Sequence, residues 1–233
     1  MRNIILALLV IPGAVACREP TKKPPLPLPA DPPQPLFNQK DLTGWVQVLD
    51  SKWTVEGGAL VARQEPGGRR EGESWLITQK DYGDFVLRLK FRVTPGGNSG
   101  IFLRDPIPRA ARLAAPDGGQ PPWETGVEAN INADHPVYPT GSLWEVARAP
   151  SGLERRGEWN EMMVKMEGDK VWTWVNGRLA AEATQTRSSR GAIGLQRHGG
   201  AEYRDKVVEF KNLTVQELRP VKEGPARSPG NPR

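Results

Sequence analysis

The chain has 233 residues, a single cysteine, 23 prolines and a formal net charge of +5. This length accommodates one large domain with terminal extensions, and one cysteine excludes an intrachain disulfide. Residues 1–35 carry four basic and two acidic side chains and residues 219–233 four basic and one acidic, which accounts for the whole excess; a nucleic-acid footprint belongs on the folded domain, so no nucleic-acid partner is expected.

The first stretch, MRNIILALLVIPGAVAC, has one basic residue, an apolar run from Ile4 to Ile11 and small residues ahead of Cys17. The run is too short to span a bilayer and reads as a signal peptide over residues 1–16. Ala14-Val15-Ala16-Cys17 resembles a bacterial lipobox, with Ala14 in place of the usual leucine. Cys17 is then the lipidated N-terminus, and the protein is lipid-anchored to a bacterial membrane, facing the periplasm or the cell exterior. A plain secretory signal with Cys17 left over is the alternative. Residues 17–35 are a tether, since residues 20–35 hold eight prolines and favour extended polyproline II geometry. The tail 219–233, rich in Pro, Gly and charge, reads as disordered.

Residues 36–218 read almost entirely as strand. In DFVLRLKFRV (84–93), Phe85, Leu87, Leu89, Phe91 and Val93 alternate with Val86, Arg88, Lys90 and Arg92, the pattern of a half-buried antiparallel strand. A short helical turn is expected at IPRAARLAA (107–115), inside an inserted loop. Between 158 and 183, Gly168-Asp169 and Asn176-Gly177 mark two hairpin turns, the second matching type I′. GAIGLQRHGG (191–200) and KVVEFKNLTVQEL (206–218) supply further strands. Many short strands with Gly-rich punctuation predict an all-β, two-sheet antiparallel sandwich of the jelly-roll kind. Trp45, Trp53, Trp159 and Trp172 are assigned to packing between the sheets; Trp75, Trp123 and Trp144 are left open.

Three segments pair an apolar face with an unusual polar one. In NSGIFLRD (98–105), Gly100, Phe102 and Arg104 oppose Ile101 and Leu103; in GVEANINAD (126–134), Glu128, Asn130 and Asn132 oppose Val127, Ala129 and Ile131; in IGLQRHGG (193–200), Gln196 and His198 oppose Ile193 and Leu195. Strand side chains alternate between faces, so if the three strands share a sheet their polar faces form one surface. That surface is either ordinary solvated sheet or the floor of a cleft for a polyhydroxylated ligand.

LFNQKDLTGW (36–45), WLITQKDYGDFVLRLKFR (75–92), GNSGIFLR (97–104), GVEANINAD, PTGSLW (139–144), GEWNEMMV (157–164), NGRLA (176–180) and GAIGLQRHG (191–199) together resemble, in order, the motifs of the 3-keto-disaccharide hydrolase domain family. The resemblance covers residues 36–218. It departs from the usual pattern at Asn130, Trp144 and Arg197, where Gln, Tyr and Asp are frequent. It implies a concanavalin A-like, laminin G-like jelly roll and a carbohydrate substrate carrying a ketone at C3. Such a ketone acidifies the C2 hydrogen, so a base can remove it, the C1 substituent can leave, and water can add back. Glu128 or His198 is the candidate base, Arg104 the candidate oxyanion partner, and Asn98, Asn130, Gln196, Phe102 and Trp144 the candidate sugar contacts. No cofactor is expected. Asp134-His135 is half a metal site in a chain with two histidines, and a structural Ca²⁺ on loop oxygens stays open. A laminin G-type carbohydrate-binding module without catalysis is the competing function.

Overall fold

A computed structural model describes residues 32–49, 52–64, 69–185 and 187–218. The signal segment, Cys17, the tether up to Asp31 and the 219–233 tail lie outside the described residues. Thirteen strands are formed among these: β1 (Gln34–Pro35), β2 (Trp45–Leu49), β3 (Lys52–Glu56), β4 (Ala59–Arg63), β5 (Ser74–Tyr82), β6 (Phe85–Val93), β7 (Ser99–Asp105), β8 (Val127–Ile131), β9 (Asn160–Glu167), β10 (Lys170–Val175), β11 (Arg178–Thr184), β12 (Gly191–Arg197) and β13 (Val208–Glu217). Two short helices, α1 (Arg109–Ala114) and α2 (Pro122–Thr125), lie in the insertion between β7 and β8.

The strands form two antiparallel sheets. The larger runs β11-β10-β9-β6-β13-β4-β3, with β1 also on β13, and the smaller runs β2-β5-β12-β7-β8. The jelly-roll expectation holds, and α1 sits where the helical turn was expected. Pro35 pairs with Thr214, so the sheet already includes residues the sequence reading gave to the tether. Period-two alternation places Phe85, Leu87, Leu89, Phe91 and Val93 between the sheets, against Ile101, Leu103, Val127, Ala129, Ile193 and Leu195 from the smaller sheet. Asn176 and Gly177 take φ of 50° and 77°, the paired positive values of a type I′ hairpin. Trp53 packs in the core, stacked on Phe210. Trp172 and Trp159 depart from the packing assignment. Trp172 pairs in register with Lys165 on the outer face of the larger sheet, and Trp159 carries Lys211 and Arg92 over its ring.

The smaller sheet is buried on both faces. Every residue of β7, β8 and β12 is buried. A second apolar cluster of Val48, Leu49, Trp75, Ile77, Phe102 and Ala192 lies on its outer face, with Trp123 of the insertion packed on it. The insertion is held down by a buried ion pair. Arg112 of α1 donates from Nε and Nη2 to the two Asp105 carboxylate oxygens at 2.6 Å each, and from Nη1 to the carbonyls of Gly118 and Gln120. Such bidentate pairing gives geometric definition as well as energy.

Arg104 does not face this outer surface. Its φ of +55° breaks the strand alternation at the end of β7, and the side chain meets the β5–β6 connection and the β9–β10 hairpin. There Nε donates to Gly83 O at 2.8 Å, Nη1 to Gly168 O at 2.7 Å and Nη2 to Asp84 Oδ1 at 2.7 Å. Burial pushes its pKa down, and Asp84 opposes that shift. The expectation of an oxyanion partner in the cleft is therefore corrected: Arg104 rivets the two sheets. Arg104→Met would strand these acceptors at about 1–3 kcal/mol each. At roughly 2–4 °C per kcal/mol for a domain of this size, the thermal midpoint should fall by at least ~5 °C. A midpoint within a degree of the parent would contradict the riveting role.

Candidate active site

The register of the smaller sheet sets its outer face out as two lines of side chains. One runs Glu128, Phe102, Gly194, Ile77, Val46 across β8, β7, β12, β5 and β2. The next joins Asn130 to Gly100 on β8 and β7, and Gln196 to Trp75 and Val48 on β12, β5 and β2. The first line is apolar except at its Glu128 end. The second carries the polar groups.

Glu128 leans from its own line across Gly100. A Cβ at position 100 would lie 2.0 Å from Glu128 Oε1, so the glycine is required for the carboxyl to rest on the backbone there. The space beside Gly100 is thus filled by Glu128 and not open to a ligand. Glu128 itself is only 5% exposed. Burial first, and the neighbouring Glu73 charge second, push the Glu128 pKa up to about 8. Desolvation disfavours the charged carboxylate and a like charge adds to it.

Glu73, just before β5, is the residue that sequence reading missed. Its Oε1 accepts a hydrogen bond from Trp75 Nε1 at 2.7 Å and another from Gln196 Nε2 at 3.1 Å. The signal was present in EGESWLITQ, where Glu73, Trp75 and Ile77 alternate with Ser74 and Leu76. Gln196 thus spends its donor on Glu73, and its Oε1 stays buried without a partner; the Asn98 Oδ1 at the head of β7 does the same. Buried polar atoms are nearly always paired, so these two acceptors are groups with hydrogen-bonding capacity left over.

The other expected site residues fall around or outside this centre. Asn130 is buried and donates from Nδ2 to Tyr138 O at 2.5 Å, which ties down the loop after β8. Trp144 donates its backbone N–H to Glu128 O and continues the Glu128 line beyond β8. It packs edge-on to His135 and tilted on Tyr138, at centroid distances of 5.1 and 5.4 Å. His198 stands one position past β12, its Nδ1 2.6 Å from Gly199 O and its ring edge-on to Tyr203. No hydrogen bond joins it to Glu128 or Glu73. Phe102 is fully buried under Trp75 and Trp123 at centroid distances near 6 Å. The expectation that it offers a sugar-stacking patch is corrected, because the insertion roofs it over. Arg197 points away from this face and donates to the carbonyls of His198 and Tyr203 and to Gln64 Oε1; burial lowers its pKa to about 10. Among the described residues no three His, Cys, Asp or Glu side chains gather in a metal-binding group.

A carboxyl whose folded pKa is about 8 against an ordinary 4.5 contributes stability that is complete below the unfolded value and lost as pH climbs through the folded one. Glu128→Gln should therefore melt at the parent temperature near pH 5 and above it near pH 9. Parallel pH profiles for the two proteins, measured by calorimetry, would show that Glu128 is not held protonated by the fold.

Comparison with known proteins places these features in context. A family model described as a 3-keto-alpha-glucoside-1,2-lyase-like domain matches residues 32–216. A curated 3-keto-disaccharide hydrolase of Bacteroides thetaiotaomicron is 25% identical over 240 residues, covering 83% of this chain and 81% of that protein. Among solved structures, a putative glycosyl hydrolase from Parabacteroides distasonis superposes with a TM-score of 0.62 at 24% identity, covering 79% of this chain and 93% of its own. The carbohydrate-binding module CBM66 from Bacillus subtilis does so with a TM-score of 0.54 at 18% identity, covering 75% and 96%. At these identities the structural likeness is one of fold.

Proposed function

We propose that this chain, which belongs to the 3-keto-alpha-glucoside-1,2-lyase-like domain family, cleaves 3-keto-glycosides by elimination and hydration, with Glu73 as base and Glu128 as acid. The observation that carries the reading is that two buried carboxyls sit within electrostatic reach of one another, Glu73 taking two N–H donors and Glu128, whose proton affinity the Glu73 charge helps to raise, standing at about 8. Pairs of carboxyls with environments that separate their proton affinities divide naturally into acid and base.

The chemistry follows from that division. Loss of the C2 proton to Glu73 leaves an enolate on the C3 oxygen. When the C3 carbonyl re-forms, the electron pair closes a C1–C2 double bond and the C1–O bond breaks. The leaving oxygen takes the Glu128 proton. Water then adds at C1, giving a proton to Glu128, while Glu73 returns its proton to C2, so both carboxyls end as they began. The unpaired Gln196 Oε1 and Asn98 Oδ1 accept sugar hydroxyls. The line from Glu73 to Glu128 runs toward β8, so the leaving group extends past Glu128 to Trp144 and Tyr138. His198 and Arg104 take no part.

The test is to incubate the purified protein with a 3-keto-glucoside in D₂O and follow both aglycone release and deuterium entry at C2. Either Glu73→Gln or Glu128→Gln should lower turnover by about 10²–10⁴-fold, the usual worth of a positioned acid or base. Glu73→Gln should also abolish exchange at C2, whereas Glu128→Gln should keep exchange while losing release. For the parent, kcat should decline as pH rises through about 8, where Glu128 loses its proton. Sugar binding with neither release nor exchange would favour the non-catalytic binding module instead.

A further inference from the structure

The outer face of the larger sheet, on the far side of the sandwich, carries a groove of about 410 Å³. That volume lies within the ~300–1,000 Å³ range of small-molecule sites. Register defines its axis: Thr214, Arg88, Met163, Trp174 and Leu179 stand in one line across β13, β6, β9, β10 and β11. Trp174 forms part of the lining with Met163, and Arg88, Asn212, Thr214 and the Lys90–Glu161 ion pair supply polar groups. Asn212 sits at a bulge between Lys211 and Thr214 with φ of 54°; bulges re-aim side chains in this way. Leu179 ends the line 39% exposed.

Three features set this face apart from ordinary solvated sheet. Lys90, Arg92 and Lys165 each have a carboxylate, from Glu161, Glu209 and Glu167, while Arg88 has none among the described residues. Trp174 lines the groove with a ring that is otherwise packed away, 4% exposed. Finally, the polar groups at the Arg88 end surround an apolar floor. This combination suits a ring with a C–H face for the tryptophan and methionine, hydroxyls for Asn212 and Thr214, and a carboxylate for Arg88. An aromatic acid would leave Asn212 and Thr214 unused, and a neutral sugar would leave Arg88 unmatched.

We propose that this groove is a second carbohydrate site that binds uronic-acid residues of an acidic glycan, with Arg88 on the carboxylate. It is independent of the carboxyl pair on the opposite sheet. The experiment is affinity electrophoresis of the full chain through gels containing polygalacturonate, alginate or a neutral glucan. The acidic glycans should retard the parent and the neutral glucan should not. Arg88→Gln should weaken retardation by about tenfold or more, the worth of a charge-assisted hydrogen bond. Lys40→Gln, which removes an equal charge from an exposed loop, should leave retardation unchanged, and Arg88→Lys should keep part of it. The thermal midpoint of Arg88→Gln and its turnover of a 3-keto-glucoside should match the parent. No retardation of the parent by either acidic glycan, equal retardation by the neutral one, or retardation insensitive to Arg88→Gln would overturn the proposal.

Discussion

The five-stranded sheet is covered on both faces, and the properties of the candidate site descend from that constraint. A sheet in a sandwich normally turns one face to water. Here the insertion carrying α1 and α2 lies over the second face, fastened by the buried Arg112–Asp105 pair. Side chains on that face must be apolar, paired, or under electrostatic stress. Phe102, Ile77 and Val48 are apolar, Gln196 and Glu73 are paired, and Glu128 is stressed. A carboxyl in such a place holds its proton more tightly than in water. The covering therefore raises, through desolvation, the proton affinity of Glu128 to about 8.

Gly100 makes the arrangement sterically possible. Any larger residue would push the Glu128 carboxyl off the backbone at this position. Gln196 links the two sides, since it shares β12 with the core residue Leu195 and donates to the Glu73 oxygen. Glu128 is thus fixed by strand register, which is stiffer than a loop, and Glu73, one residue ahead of β5, is held by hydrogen bonds from the strand residues Trp75 and Gln196.

Much of this was legible in the sequence, because period-two alternation assigns faces without reference to tertiary structure. It put Glu128, Asn130 and Gln196 together on the outer face of one sheet and left Ile101, Ala129 and Leu195 to the core. It failed where the backbone stops being a strand. Arg104 has a left-handed φ, a conformation uncommon for a residue with a side chain, and alternation carries no warning of it. Phe102 was misjudged for another reason: a polar face was assumed throughout, whereas half of it is a second apolar cluster under Trp123. Glu73 precedes its strand, so it reads as an edge residue until Trp75 and Gln196 are seen to converge on it. Trp172 of β10 illustrates the limit on the other sheet, where it was expected between the layers and instead faces outward.

The two outer faces of the sandwich divide the molecule's chemistry. One is roofed, nearly dry and built around two carboxyls; the other is an open groove with an unmatched guanidinium. The roofed face carries the central claim, which is that Glu128 shares its surroundings with Glu73 and keeps its proton at neutral pH. Carbon-13 NMR titration of the side-chain carboxyls, with Glu128 assigned from the Glu128→Gln spectrum, reads this directly. The account predicts a Glu128 midpoint of about 8 that moves down in Glu73→Gln, where burial remains but the neighbouring charge is gone. A midpoint near 4.5, or one that does not respond to Glu73→Gln, would contradict it.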